Sequence, residues 1–142
     1  MSGEKLTTAD YPLAEKRPEL VKGKRGKSLD EITLEALDQG QVTMEDLRIT
    51  GAALLQQAQI ARSAHRETLA ANFERAAEMA EVPEDAIMRI YELLRPGRAK
   101  SKEDLVAAAK ELRETYGAER LAAFVAEAAD VYERRGLFKN RF

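Results

Sequence analysis

From Ser28 onward, apolar residues recur at helical spacing, and polar punctuation cuts the chain into segments. Ser28-Leu29-Asp30-Glu31 has the form of a capping box, and Leu29, Ile32, Ala36 and Leu37 give one apolar face before Gly40. Thr43-Met44-Glu45-Asp46 repeats the cap for a short turn carrying Leu47 and Ile49. The longest periodic stretch runs from Thr50 to about Glu81, with Leu54, Ala58, Ala61, Leu69, Phe73, Ala76, Ala77 and Ala80 on its stripe. Polar residues crowd its middle, and the pattern predicts a kink or break near Ser63 to Arg66. Pro83 suits the first turn of the next helix, which carries Ile87, Ile90, Tyr91 and Leu94 and stops before Arg95-Pro96-Gly97. Ser101 caps a fifth segment, ending at Gly117, with Leu105, Ala109, Leu112 and Tyr116 on its face. A sixth runs from about Ala118 to Arg135, with Leu121, Phe124, Val125, Ala128 and Tyr132. The single residue between these last two predicts an antiparallel hairpin.

No run alternates like a strand, so the expected class is all-α: a single small domain of five to six helices at 28–142, preceded by an extended arm at 1–27. The stretch from Asn72 to Pro96, helix, proline joint and helix, is the expected organising element. The arm holds Pro12 and Pro18 and ends in Lys22-Gly23-Lys24-Arg25-Gly26-Lys27. It reads either as a solvated basic tail or as a segment lying on a partner, with Asp10-Tyr11-Pro12-Leu13 as its sticky spot. The tail holds Phe138 and Phe142 with nothing local to bury them, which suggests docking on the core or a partner surface.

Composition narrows the chemistry. The net charge of −2 leaves no general nucleic-acid footprint. The chain has no Cys and one His, His65, so neither a catalytic triad nor a transition-metal cluster is expected. No phosphate-binding glycine loop occurs. Carboxylates such as Glu74 and Glu78 lie three or four apart among Arg and Lys, as on a solvated helix face. No catalytic, cofactor-binding or metal-binding residue is expected on this chain. Arg95 and Arg98 flank a turn and could pair with a partner carboxylate. Alanine-rich stripes permit close packing but bury little area, so a larger partner would stabilise such a domain.

Several separated motifs, in order, carry a resemblance: Asp10-Tyr11-Pro12-Leu13-Ala14, Thr33-Leu34-Glu35, Asp46-Leu47-Arg48-Ile49-Thr50, Gln57-Ala58-Gln59-Ile60-Ala61, Asn72-Phe73-Glu74-Arg75-Ala76-Ala77-Glu78, Val82-Pro83, Ile90-Tyr91, Leu94-Arg95-Pro96 and Ala122-Ala123-Phe124-Val125. From Asp10 on, the chain resembles the small subunit of adenosylcobalamin-dependent diol and glycerol dehydratases. The resemblance implies a hetero-hexamer with two large, two medium and two small subunits. It converts 1,2-propanediol or glycerol to an aldehyde and water by radical chemistry. Adenosylcobalamin would be bound by the holoenzyme and not by this chain, whose task would be to stabilise the large subunit. Asp10, Tyr11, Pro12, Leu13, Asn72, Arg75, Arg95, Pro96 and Arg98 are the expected partner-interface residues. Gly97 departs from the family pattern, which has an aromatic there, and the loop at 99–102 is slightly longer. Neither membrane nor nucleic acid is an expected partner. The expected location is the cytoplasm; the short stretch before Asp10 gives microcompartment encapsulation less support, although another subunit could provide it. The alternative is a free helical adaptor that binds another protein or a nucleic acid through the basic arm.

Overall fold

The computed structural model describes residues 4–138. Among them the fold is all-α, with no strand beyond one isolated bridge between Lys22 and Ser28. The chain divides into two compact units, at Ala80/Glu81. That division falls inside the Asn72–Pro96 stretch, so its two helices serve two separate cores.

In the first unit, Thr7 caps a 3-10 turn at Thr8–Asp10, followed by α1 (Leu13–Lys16) and a turn at Pro18–Leu20. The segment expected to be extended is therefore a series of short turns. Leu6 and Leu13 are buried against Ile60, with Leu20 and Val21 packed beside them. The Leu6 amide donates to the Gln59 side chain at 3.0 Å. The capping box at Ser28 forms, its amide donating to Glu31 at 2.8 Å, yet it opens only a 3-10 turn at Leu29–Glu31. Ile32 then leaves the helical region at φ −94°, ψ 87°. Thr33 caps a new helix, α2 (Leu34–Asp38), accepting from the Ala36 amide at 3.1 Å. Two β-branched residues in succession, the second a good cap, favour this restart over a continuous helix. None of Leu29, Ile32, Ala36 and Leu37 is fully buried, so the expected core face is not one. The second capping box holds, giving α3 (Met44–Leu47).

The long periodic segment breaks where its polar middle predicts. Helix α4 spans Gly51–Ser63 and α5 spans Glu67–Met79. His65 between them takes a left-handed φ of 57°, a conformation few non-glycine residues adopt. The Arg66 amide returns to the Ala61 carbonyl at 2.9 Å and closes the turn. The helices meet through Ala58, Ala61 and Ala70, flanked by Leu69 and Phe73. Arg62 spans the turn, donating to Glu74 at 2.9 Å and Glu67 at 3.0 Å. Glu74 is itself buried, a position that helical periodicity assigned to the solvated face.

The second unit contains α6 (Glu84–Leu94), α7 (Lys102–Tyr116) and α8 (Glu119–Arg135). Gly117, at φ 65°, turns α7 directly into α8; the Ala118 amide bonds the Leu112 carbonyl at 2.9 Å. Leu105, Leu112 and Val125 are fully buried among Ala108, Ala109 and Ala122. Small residues bring α7 and α8 close, so the buried face of α8 is Leu121, Ala122, Val125 and Ala129. Phe124, expected on that face, is 44% exposed. Tyr91 likewise points to solvent, whereas Ala86 and Ile90 are buried. The Tyr132 hydroxyl donates to the Leu94 carbonyl, and its ring meets Phe138 at 6.1 Å between centroids. Phe138 therefore docks on the unit's own core; Phe142 lies outside the described residues. Salt bridges Arg89–Glu111 at 2.6 Å and Lys102–Asp130 at 2.7 Å clamp the surface.

Leu112→Ala is expected to cost about 2–5 kcal/mol of stability, measured by urea denaturation. Val106→Ala, at a half-exposed site on the same helix, is expected to stay within about 0.5 kcal/mol.

Candidate partner interface

Of the residues expected to meet a partner, Asp10, Tyr11, Pro12 and Leu13 fall together but have different surroundings. Asp10 caps its own turn: the Thr7 amide donates to it at 2.8 Å and Arg17 at 3.2 Å. Those bonds hold its carboxyl below the ordinary range, the Thr7 amide contributing most. Leu13 is buried against Ile60. Tyr11, after a cis peptide bond to Pro12, is 59% exposed. It walls a cavity of about 290 Å³ with Ile60, Ala64, Arg66, Leu69 and Phe73. On α5, Asn72 accepts from Arg75, one turn away. Arg95 and Arg98 both reach Glu92, at 3.1 and 3.9 Å, around a turn in which Pro96 is exposed and Gly97 has φ 81°. These residues are drawn from both units.

The basic run ending the arm has a structural task that residue order does not reveal. The Gly23 amide donates to the Lys27 carbonyl at 2.9 Å, closing a loop over α3. Arg25 reaches from that loop to Asp46, Nε donating at 2.9 Å while its second nitrogen also bonds the carboxylate and the Gln41 carbonyl. The Asp46 side chain is shut off from water and also accepts from the Thr43 amide at 2.9 Å. Arg25 above all, with that amide, pulls the Asp46 carboxyl down to about 2. Gly23 is required because its α-carbon lies against the Asp46 backbone; a Cβ there would sit 2.6 Å from the carbonyl oxygen. Arg17 is similarly engaged, by Glu19 at 2.7 Å as well as Asp10. Two of the arm's cations therefore hold the fold and are not offered outward.

Residues 28–49 present the opposite character. Only Val42 and Asp46 are buried there. Leu34 is 86% exposed, and Leu29, Leu37, Met44, Leu47 and Ile49 are exposed too. The available signal was Leu34, which falls off the apolar face of its own segment.

Among the described residues, no three His, Cys, Asp or Glu side chains group as a metal site. No helix there is long and apolar enough to cross a membrane. His65 lines a shallow hollow beside Arg66, Glu67 and Asn72 and has no triad partner within it. Helical units that leave so many large apolar side chains in water have the character of a subunit.

Comparison gives that class its family. The family model for the dehydratase small subunit matches residues 6–139. The propanediol dehydratase small subunit of Salmonella typhimurium is 50% identical over 132 residues, covering 93% of this chain and 76% of that protein. Its counterpart in Citrobacter freundii is 48% identical over 139 residues, covering 98% and 80%. The chain belongs to the dehydratase small-subunit family. It is a subunit of a lyase, and other dehydratase subunits are its partners.

The Asp46 carboxyl is ordinarily near 3.8 and falls to about 2 on folding. A lowered folded pKa means that the ionised form supports the fold above the unfolded pKa and is lost as pH drops through the folded one. Protection of the Gly23 and Thr43 amides, measured against their intrinsic exchange rates, is therefore expected to fall between about pH 4 and pH 2. In Asp46→Asn that protection should already be low at neutral pH. Gly23→Ala is expected to cost about 1–3 kcal/mol by denaturant titration, because the Asp46 backbone must move.

Proposed function

We propose that this chain is the small, non-catalytic subunit of a diol dehydratase that converts 1,2-propanediol or glycerol to the corresponding aldehyde and water. The observation that carries this is the near-full-length identity, about one residue in two, to two propanediol dehydratase small subunits. The holoenzyme would contain two each of large, medium and small subunits and work in the cytoplasm. Its cofactor would be adenosylcobalamin, which supplies the substrate-abstracting radical when bound. The residues of this chain do not fit that group. The cavity beside Tyr11 is about 290 Å³, and the shallow, open hollow at His65 is about 490 Å³; a corrin is larger than either. The one His sits exposed on a turn. No step of the reaction is assigned to this chain.

Its role would be to stabilise the large subunit. Asp10, Tyr11, Pro12, Asn72, Arg75, Arg95, Pro96 and Arg98 remain candidate contacts, and the arm at 1–27 would lie along the partner. Leu13 would act indirectly, seating the arm on Ile60 so that Tyr11 is presented. Deleting the arm is a poor test, because it would uncover Ile60 and leave Asp46 without Arg25.

The test is reconstitution. The purified chain alone is expected to give no aldehyde from propanediol with adenosylcobalamin. Co-expression with large and medium subunits is expected to give a complex that does, measured by hydrazone absorbance. Aldehyde formation by the chain alone, or an equally active and stable complex without it, would overturn the assignment.

A further inference from the structure

Between Ser28 and Ile49 the chain is ordered by its caps and scarcely at all by a core. Two capping boxes and the Thr33 cap set its turns, yet α2 has five residues and α3 four. Helices this short do not hold in water without packing. Of the whole segment only Val42 and Asp46 are buried, whereas Leu29, Leu34, Leu37, Met44, Leu47 and Ile49 are exposed. Elsewhere, exposed large apolar residues such as Met88, Tyr91 and Val106 are spaced more thinly along the chain. A segment that is apolar, capped into one shape and uncovered is a docking surface. Its length, about 20 residues, is what one side of a standard interface contributes.

Charge selects the occupant. From Ser28 to Ile49 the chain carries Asp30, Glu31, Glu35, Asp38, Glu45 and Asp46 against one cation, Arg48, which Glu45 pairs at 3.4 Å. Asp30 and Glu31 are held ionised by Ser28, their carboxyls lowered. Glu35 and Asp38 are exposed. A second copy of this chain, meeting the surface by two-fold symmetry, would set these acids against themselves. A different protein whose apolar surface is fringed by Lys and Arg would not.

Resting on the small-subunit reading above, we infer that residues 28–49 are the principal docking surface for the large dehydratase subunit, with Leu34 and Leu37 as anchors and Glu35 and Asp38 facing basic groups on that partner. Burial of the Leu anchors supplies affinity, and the acidic fringe supplies orientation and rate.

The experiment uses the full chain co-expressed with a tagged large subunit, with affinity measured after purification and helicity checked by circular dichroism. Leu34→Lys and Leu37→Lys are expected to weaken binding at least about tenfold. Met88→Lys and Val106→Lys, on the other unit, are expected to change it less than about threefold. Leu34→Ser, milder and at a site in contact with little else, guards against a variant that misfolds. Glu35→Lys with Asp38→Lys is expected to slow association and flatten its salt dependence. Unchanged affinity in the Leu34 and Leu37 variants, with wild type bound, would overturn the surface while leaving the subunit reading intact. Tighter binding by the charge-reversed pair would overturn the basic fringe. A wild-type chain that never co-purifies with the large subunit would remove the subunit reading itself, and this inference with it. Dimerisation of the isolated chain, abolished by Leu34→Lys, would give the surface to a second copy and overturn the proposal.

Discussion

The N-terminal unit depends on a carboxylate that has no access to water. An ionised Asp46 in that position is costly unless its lone pairs are met, and the Arg25 guanidinium and the Thr43 amide meet them. To deliver Arg25, the chain must bring the Gly23–Lys27 loop down onto α3, and only a residue without a Cβ tolerates the resulting contact. The leading residues are then fixed at both ends: Leu6 and Leu13 sit on α4, and Arg25 is clasped to α3. This fastens a proline-interrupted segment that has little apolar surface of its own to bury. The same logic recurs at the α4–α5 turn, where Arg62 holds a buried Glu74. In this unit, charged hydrogen bonds do what a larger core would do elsewhere.

The C-terminal unit meets the shortage of large side chains differently. Alanines at Ala108, Ala109, Ala122 and Ala129 let α7 and α8 approach closely, and Leu105, Leu112 and Val125 fill the space between. Close approach increases dispersion contacts where each side chain buries little area. Tyr132 ties α8 to the end of α6 through the Leu94 carbonyl, and Phe138 covers that tie.

These economies fit the task of a subunit. Reaction chemistry calls for convergent titratable groups; this chain instead sets charges such as Arg25 and Asp46, Arg62 and Glu74, and Lys102 and Asp130 in ion pairs that fasten its own segments. The surface we propose for its partners is the apolar segment at 28–49, with Tyr11 standing over an apolar hollow in the same unit. Belonging to the dehydratase small-subunit family gives that surface a reason to remain uncovered in the isolated chain.

Local signals were legible from residue order alone. The capping boxes at Ser28, Thr43 and Ser101, the break at Ser63–Arg66, the proline start of α6 and the glycine turn at Gly117 involve neighbours within a few positions, so sequence states them directly. The ordered motifs that identify the family were legible for the same reason. Periodicity fixes a face only to within one residue position, and the partner helix decides which neighbour is buried; hence Phe124 and Tyr91 turned outward while Ala122 and Ala86 turned in. The Arg25–Asp46 clasp spans 21 positions, and no local rule pairs those two among 23 cations and 25 carboxylates. Sequence alone determined the longer helices, their caps and the kind of protein. Tertiary structure alone decided that Asn72–Pro96 serves two cores, that the basic arm is a strap, and that Leu34 is left in water, because each depends on which distant surface arrives to cover or expose a side chain.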